Sequence, residues 1–433
     1  MRRVAIIGAG AAGCFCAVQL RRMAPEVAVT LFEAGPKPMA KLAVTGGGRC
    51  NLTNSFAGIR SLGEAYPRGE RVLQRALKAF SPEDTVRWFQ VEGVPLVLQP
   101  DHCWFPRSQN ALDIVHCLER GMRGAELRLR TPVLSVRDTL GPSGLGMTNP
   151  VIPNTPSVIP NTPSVIPNTP SVIPSEASVS HYTVNSEPFD YVVITTGGAA
   201  KGLPFLDGLG LELIPPVPSL FTFTVPDPAL RSLMGLVTEA SVGLAGTSYK
   251  AEGPLLITDW GLSGPAVLKL SSYAARHLAE QQYKGTVVIN WLNARENEVR
   301  EQLQEMASAN PQKLLANVHP VQQRLWEHLL ERAGLREDLR WAELGTRGLN
   351  RLTATLTADS YPLSGKSKFR EEFVTAGGVA LSNIHLSTLE SKRHPGLYFA
   401  GEVLDIDAIT GGFNLQAAWS TGYVCAQNIA KSL

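Results

Sequence analysis

The chain has 433 residues, which is too long for one hydrophobic core of ordinary size, so two or three domains are expected. Hydrophobic residues make up 44% and charged residues 18%, a balance that excludes a disordered chain. The formal charge is +2 and no long basic run is present, so no nucleic-acid partner is expected. Because no stretch approaches the roughly 20 apolar residues that span a bilayer, we expect a soluble, cytoplasmic protein without a membrane segment. The six cysteines lack zinc-site spacing, which predicts reduced thiols and no metal site.

The opening residues predict a strand, a glycine turn, a helix and a second strand, as in a βαβ unit. The turn and the acid that closes the second strand form a dinucleotide-binding pattern, made of Gly8, Gly10, Ala12, Gly13 and Glu33. Glycine permits a tight turn and lets the backbone approach a pyrophosphate, which the helix N-terminus also attracts. An acid at the end of the second strand would accept hydrogen bonds from ribose hydroxyls, which favours FAD or NAD over NADP.

A glycine-rich loop at residues 45–54 is predicted to pass flat against a planar ligand. Its candidate cofactor-binding residues, together with the lysine before it, are Lys41, Gly47, Gly48, Arg49, Cys50 and Asn51. The Arg49 and Asn51 side chains can donate to ring carbonyls or phosphates. Many disulfide-reducing flavoproteins carry two redox cysteines at this distance along the chain, but here Cys50 stands alone, so dithiol chemistry is not expected. Cys50 is interpreted as a packed residue. Helices are predicted next, at residues 69–91 and 110–123.

Three further strands are predicted to reach the same cofactor. The strand at residues 127–136 would place Val133 beside the adenine, although a plain core strand would have the same sequence. A buried strand at residues 191–198 would bring its small terminal residues, Thr196 and Gly197, across the dinucleotide. Gly401 and Glu402 follow another strand, and the acid could hold the ribityl hydroxyls directly or the pyrophosphate through water.

A last helix is predicted after the glycine pair Gly411 and Gly412, running to about residue 430. Asn414 and Leu415 lie in its first turn. The amides of such a helix N-terminus can face the N1/C2 edge of a flavin, where negative charge develops on reduction.

The heptapeptide VIPNTPS occurs three times in tandem within residues 151–174, followed by the start of a fourth copy. Proline disfavours helix interiors and central strands, and loops tolerate insertions at little cost in free energy. The repeat is therefore predicted to be an expanded, exposed loop.

The predicted fold class is α/β, with a Rossmann-like FAD-binding domain formed by both chain ends. This domain is assigned to residues 1–215, including the repeat, and to residues 369–433. Between them we predict a β-rich insert at residues 216–292, a helical subdomain at 293–350 and a return to the insert at 351–368.

Five segments of the sequence resemble one known family. They are GAGAAG from Gly8, KLAVTGGGRCNLTN from Lys41, GLSGPAVLKLS from Gly261, VTAGGVAL from Val374 and GLYFAGEVLDIDAITGGFNLQAAWSTG from Gly396. The chain resembles the bacterial BaiN/YhiN-type, aminoacetone-oxidase-like, NAD(P)/FAD-dependent oxidoreductases. The resemblance implies an FAD domain, a barrel-like insert and a helical subdomain. One departure is Asp259, which stands where the family often has a histidine.

This resemblance implies hydride transfer between flavin and a small organic substrate of the enone or amino ketone class, in either direction, with NAD(P)H as the expected reductant. Two alternatives remain, a flavin-dependent RNA-modifying enzyme and a non-catalytic flavin-binding protein. A basic stripe on the helical subdomain would favour RNA, but acids interleave with its arginines, which is typical of a solvated face. No catalytic acid or base is assigned, and the oligomeric state is left open.

Overall fold

The computed structural model describes residues 1–139, 181–198, 202–366 and 374–433, and the VIPNTPS repeat lies outside the described residues. The strands are β1 (Arg3–Ile7), β2 (Ala28–Phe32), β3 (Thr53–Asn54), β4 (Leu96–Leu98), β5 (Cys103–Pro106), β6 (Glu126–Arg128), β7 (Val136–Asp138), β8 (Tyr182–Val184), β9 (Glu187–Phe189), β10 (Tyr191–Ile194), β11 (Leu213–Ser219), β12 (Phe223–Thr224), β13 (Val237–Leu244), β14 (Lys250–Thr258), β15 (Gly261–Ser263), β16 (Gly285–Asn290), β17 (Asp359–Leu363), β18 (Gly365–Lys366), β19 (Val374–Val379) and β20 (Leu397–Phe399).

The α-helices are α1 (Ala11–Met23), α2 (Ala40–Val44), α3 (Leu62–Ala65), α4 (Glu70–Ala79), α5 (Pro82–Val91), α6 (Leu112–Gly121), α7 (Pro228–Arg231), α8 (Pro265–Tyr273), α9 (Ala275–Glu280), α10 (Glu296–Ala309), α11 (Gln323–Arg332), α12 (Gly345–Ala358) and α13 (Phe413–Lys431). Among the residues described, no helix combines the length and the apolar character needed to cross a bilayer.

A parallel sheet joins the two ends of the chain. Its strand order is β20-β10-β1-β2-β6, and each neighbouring pair is parallel. The residues of β20 are all buried and β1 and β10 are buried except at their first residue, so these strands are unbroken apolar runs in the sequence. Helices α1 and α13 pack against each other beside the sheet. They approach closely because a Cβ on Gly422 would lie only 2.8 Å from the Ala12 carbonyl oxygen. The predicted Rossmann-like α/β fold built from both chain ends is confirmed.

The insert is built on an antiparallel sheet with the strand order β17-β16-β13-β14-β15-β12-β18. Helix α8 packs on β14, and α12 packs on β16 and on α10. One buried hydrophobic cluster draws its members from residues 4–209 and 379–429, and a second draws them from residues 221–363. The chain thus forms two cores, joined by the antiparallel pair of β11 and β19. The domain limits at residues 215 and 369 stay a prediction.

Some predicted elements differ from the observed ones. The helix predicted at residues 69–91 is two helices, because Pro82 starts α5 and Ser81 caps it by accepting a hydrogen bond from the Asp84 amide at 3.1 Å. The strand predicted at residues 191–198 ends at Ile194.

The prediction of a strand through Val133 was wrong. The chain forms β6 and β7 instead, and Val133 lies between them in a segment without regular structure. Arg130 has a left-handed backbone (φ 52°) and Pro132 lacks an amide donor, so neither continues a strand ladder there.

Candidate cofactor-binding site

The first glycine turn is fixed by packing at some positions and open at another. Gly8 has a φ of 104°, and a Cβ there would lie 2.6 Å from the Thr195 carbonyl oxygen. Gly13 is equally confined, because its Cβ would meet the Thr195 side chain at 2.5 Å. At Gly10, by contrast, no atom lies within 4 Å of the position that a Cβ would take. This free space faces the start of α1, where a pyrophosphate would need it.

Glu33 anchors this turn. Its Oε2 accepts from the Ala9 amide at 3.0 Å and its Oε1 accepts from the Gly35 amide at 2.7 Å. A carboxylate has about four acceptor positions, so two amide bonds leave room for ribose hydroxyls. The segment that carries Val133 runs beside it, because the Thr131 amide donates to the Glu33 carbonyl oxygen at 2.8 Å.

Thr196 and Gly197 follow the end of β10 and lie next to the glycine turn. Thr196 is exposed, and Gly197 has a φ of 76° with no atom within 4 Å of its missing side chain. The buried neighbour Thr195 was missed from sequence. Its hydroxyl lies 2.7 Å from the Gly8 carbonyl oxygen and 3.0 Å from that of Ile7, so it ties β10 to the turn. A hydroxyl at the end of an apolar strand was the available signal.

The glycine-rich loop exposes backbone that no neighbouring atom covers. Gly47 and Gly48 have φ values of 69° and 81°, and neither has an atom within 4 Å of its side-chain position. The Arg49 guanidinium lies 4.9 Å from the centre of the Phe105 ring, within the range of a cation–π contact, and its Nε donates to the Gly46 carbonyl oxygen at 3.3 Å. The loop therefore presents bare backbone, while Phe105 and Gly46 hold Arg49.

The two residues that follow face inward. Cys50 is fully buried, and this burial raises the pKa of its thiol to about 12, so the thiol stays protonated at neutral pH. Asn51 bridges the loop to α13 in the amide orientation that satisfies both of its polar atoms. Its nitrogen then donates to the Thr53 carbonyl oxygen at 3.2 Å, and its oxygen accepts from the Gly412 amide at 3.3 Å. The geometry supports the packing interpretation of Cys50.

Lys41 and Glu402 meet from opposite ends of the chain. The Lys41 ammonium lies 3.1 Å from Glu402 Oε2, and Glu402 Oε1 accepts from the Thr375 amide at 2.7 Å. Gly401 has a φ of 76° and lies against α1, since its Cβ would be 3.0 Å from that of Ala12. The Lys41 side chain is 61% exposed, so its remaining donors face open space.

The loop before α13 is held by side-chain hydrogen bonds. Asn54 Nδ2 donates to the Gly411 carbonyl oxygen at 3.0 Å. The Asn414 side chain accepts from the Ala408 amide and donates to the Ala408 carbonyl oxygen, both at 3.0 Å, so it braces this loop from within. Gln416 is the first residue of the helix to bond back, to the Gly412 carbonyl oxygen at 3.0 Å. The amides of residues 413–415, which include Leu415, have no acceptor inside the helix.

Another contact of this loop was not visible in the sequence. Arg68 forms a two-bond ion pair with Asp407, which is 2% exposed and also accepts from the Ser219 hydroxyl at 2.9 Å. Arg68 also donates to the Ser272 carbonyl oxygen at 2.7 Å. Through Arg68, the loop before α13 is therefore connected to the insert.

The structure brings the candidate residues into three neighbouring groups. Glu33 and the first turn form one group, with Thr196, Gly197 and the segment that carries Val133 beside them. Lys41 and Glu402 form another, and the glycine-rich loop with the start of α13 forms the third. Bare glycines at open positions, helix N-termini with free amides and an acid beside the first turn are the features that a dinucleotide requires, so the residues fit FAD.

Comparison with known proteins agrees with this geometry. Residues 2–148 match the HI0933-like protein Rossmann domain, and residues 217–374 match the HI0933-like protein barrel and H2TH domain. The chain is 31% identical to the ribosomal RNA dihydrouridine synthase of Escherichia coli, over 99% of this chain and 98% of that one. It is 28% identical to the 3-dehydro-bile acid delta(4,6)-reductase of Clostridium scindens, over 100% of both chains. It is 29% identical to the ribosomal RNA dihydrouridine synthase of Haemophilus influenzae, over 98% of both. The chain therefore belongs to the HI0933-like family, the BaiN/YhiN-type FAD-dependent oxidoreductases.

Proposed function

We propose that this oxidoreductase adds two electrons and two protons to a carbon–carbon double bond that is conjugated to a carbonyl, with NAD(P)H as the reductant. One observation carries the proposal: relatives that match the chain over nearly its full length are named for such reductions. Dihydrouridine is uridine with its 5,6 double bond reduced, and that bond is conjugated to the C4 carbonyl. A 3-dehydro delta(4,6) steroid is likewise a conjugated dienone.

The protein's own groups serve binding and orientation in this proposal. FAD, when bound, supplies the hydride chemistry that side chains lack. Glu33 and the first turn would hold the adenosine half, and the free amides at the start of α13 would stabilise negative charge near them. We assign no nucleophilic role to Cys50 and Cys103, because burial raises the pKa of these thiols to about 12 and about 11. The amino ketone class is not favoured, since no relative described above is named for it.

Two substrate classes share this reaction. A small enone is the first candidate and agrees with a chain of nearly balanced charge. Uridine in ribosomal RNA is the second candidate, and the names of two relatives favour it. The arginines of the helical subdomain give RNA little further support, because Arg332 pairs with Asp359 at 2.5 Å and Arg336 with Asp338 at 2.6 Å.

Anaerobic mixing of the FAD-loaded protein with NADH or NADPH tests the reaction. We expect loss of the flavin absorbance on addition of the nicotinamide, and its recovery on addition of a 3-oxo-4,6-diene steroid or of a ribosomal RNA fragment. Mass spectrometry should show two added hydrogens in the substrate that reoxidises the flavin. The matched saturated ketone is the control and should leave the flavin reduced.

Two results would contradict the proposal. One is rapid reduction of the flavin by aminoacetone without any acceptor activity on enones or uridine. The other is a flavin that NADH and NADPH both fail to reduce, which would favour a non-catalytic flavin-binding protein.

A further inference from the structure

A groove in the insert carries polar groups that the cofactor site does not use. It has a volume of about 310 Å³ and is lined by residues of β13, β14, β16 and α12, together with the turn between β13 and β14. This volume lies at the lower end of the range of about 300–1,000 Å³ typical of small-molecule sites. All of its lining residues belong to the insert, so it is separate from the cofactor site.

The floor of the groove contains a buried hydroxyl with no hydrogen-bond partner. Ser241, on β13, is 1% exposed, and its Oγ has no partner among the described residues. An unpaired buried hydroxyl costs about 1–3 kcal/mol of stability. Most buried polar groups in proteins are paired, and a ligand in the groove would supply the partner that this hydroxyl lacks.

The rim adds a positive charge and further donors. Lys250 lies across from Gly243, which has no side chain to cover the floor, and Lys250 is exposed. It is the charged residue among the lining side chains. Glu252, which lies across from Ser241 on β14, is not a lining residue and accepts from Asn293 Nδ2 at 3.4 Å. Ser248 and Tyr249 add hydroxyls beside it. An ammonium with several hydroxyl donors on one side matches the acceptors of a phosphate group.

The opposite wall is neutral and polar. Asn290 Nδ2 donates to the Ala294 carbonyl oxygen at 2.7 Å, and the Thr357 hydroxyl donates to the Thr353 carbonyl oxygen at 2.8 Å. Both side chains are thereby held in place. The Asn290 oxygen also accepts from the Leu292 and Ala294 amides at 3.2 and 3.4 Å, whereas the Thr357 oxygen keeps an acceptor position, which suits a hydroxyl of a sugar.

We propose that this groove binds a phosphorylated ribose, with the phosphate at Lys250 and Ser241. The inference goes beyond the reaction proposed above and does not depend on it. Two sources present this chemistry, the sugar-phosphate chain of RNA and the ribose phosphates of NAD(P)H.

Calorimetric titration of the FAD-loaded protein with ribose 5-phosphate tests the site. We expect Lys250→Gln to weaken binding about 10-fold and Ser241→Ala to weaken it about 5-fold, as expected for a charged and a neutral hydrogen bond. Lys313→Gln, which changes another exposed lysine of the insert, is the matched control and should bind like the parent. Ser241→Ala should keep or raise the melting temperature of the parent, which separates lost binding from lost folding.

A second titration distinguishes the sources. Binding of a short uridine-containing RNA that weakens with Lys250→Gln would assign the groove to RNA, and the same behaviour with NADPH alone would assign it to the nicotinamide nucleotide. The proposal is overturned if ribose 5-phosphate fails to bind, or if Lys250→Gln and Ser241→Ala bind it as tightly as Lys313→Gln does. Neither outcome depends on flavin reduction, so the reaction proposal fails or stands separately.

Discussion

The cofactor site and the groove of the insert differ in how their polar groups are satisfied. At the cofactor site, Glu33 accepts from the Ala9 and Gly35 amides, and Asn414 both accepts from and donates to Ala408. In the groove, the Ser241 hydroxyl has no partner among the described residues. The first site is a preorganised frame in which side chains brace the backbone that would meet the cofactor. The second leaves a side chain itself to meet the ligand.

The glycines of the cofactor site are of two kinds, confined and open. In the cofactor frame, Gly8 and Gly412 are confined by neighbouring backbone, whereas Gly10 and Gly47 face open space. The confined glycines serve the packing that positions the frame, and the open ones serve the approach of a ligand. A substitution at a confined glycine should therefore damage the frame, and a substitution in the groove should leave the fold intact.

The largest effect is expected from Gly412→Val. Gly412 has a φ of 88°, and a Cβ there would lie 2.5 Å from the nearer polar atom of the Asn51 side-chain amide and 2.7 Å from the Thr53 carbonyl oxygen. The start of α13 must then move away from the glycine-rich loop. We expect FAD affinity to fall about 100-fold, which corresponds to about 2.7 kcal/mol. Fluorescence titration of the apoprotein with FAD measures it.

Cys50→Ala is the control for that variant. It removes a fully buried thiol next to the same loop without adding volume. We expect flavin reduction by NAD(P)H close to that of the parent. Loss of turnover in Cys50→Ala together with normal FAD binding in Gly412→Val would reverse the roles assigned to these residues.

A smaller loss is expected from Glu33→Ala. The substitution removes both amide bonds of the carboxylate and frees the turn at Ala9 and Gly35. FAD affinity should fall about 10- to 30-fold, which corresponds to about 1.4–2 kcal/mol and to the lower part of the range for hydrogen bonds to a charged group. Glu126→Ala, on the neighbouring strand β6, is the control and should bind FAD normally. Equal losses in both variants would show that the effect comes from the sheet and not from the turn.

Much of the cofactor frame could be predicted because its determinants are local. The glycine turn, the acid at Glu33 and the glycines before α13 each act within a short stretch of chain, and strands buried on both faces form plain apolar runs. The prediction placed Val133 on a strand at residues 127–136, but that range contains Pro132, and proline removes a ladder donor.

The remainder depends on residues that are distant in sequence. Arg68 and Asp407 are 339 positions apart, and no spacing rule connects them. The groove of the insert is assembled from three strands and a helix, each of which contributes one or a few polar side chains to it. Ser241 alternates normally with its apolar neighbours on β13, so only the packed structure reveals that its hydroxyl is unpaired.

Paired and orphan hydroxyls should respond oppositely to removal. Thr195→Val deletes a hydroxyl that bonds the carbonyl oxygens of Ile7 or Gly8, and should lower the free energy of unfolding by about 1 kcal/mol. Ser241→Ala deletes an unpaired hydroxyl and should leave that free energy unchanged or raise it by up to about 1 kcal/mol. Differential scanning calorimetry of the two variants measures the difference. A clear loss of stability in Ser241→Ala would mean that the hydroxyl has a structural partner, and the contrast between the two sites would fail.

The smallest effect is a pH dependence confined to the insert. Burial lowers the pKa of His328, whose Nε2 lies 2.9 Å from the Tyr361 hydroxyl. Between that lowered value and the ordinary pKa of about 6.5, the unfolded chain binds a proton that the folded chain does not. Stability from this group is therefore complete above about pH 6.5 and declines as the pH falls toward the folded pKa.

Thermal unfolding of the insert between pH 7.5 and pH 5 tests this sign. The parent should lose a small part of its stability over this range through His328, and His328→Gln should remove that part of the slope because glutamine does not titrate. His116→Gln, at an exposed position of α6, is the matched control and should retain the slope of the parent. A steeper slope in His328→Gln than in the parent would show that the folded state binds the proton more tightly than the unfolded chain, contrary to the effect of burial.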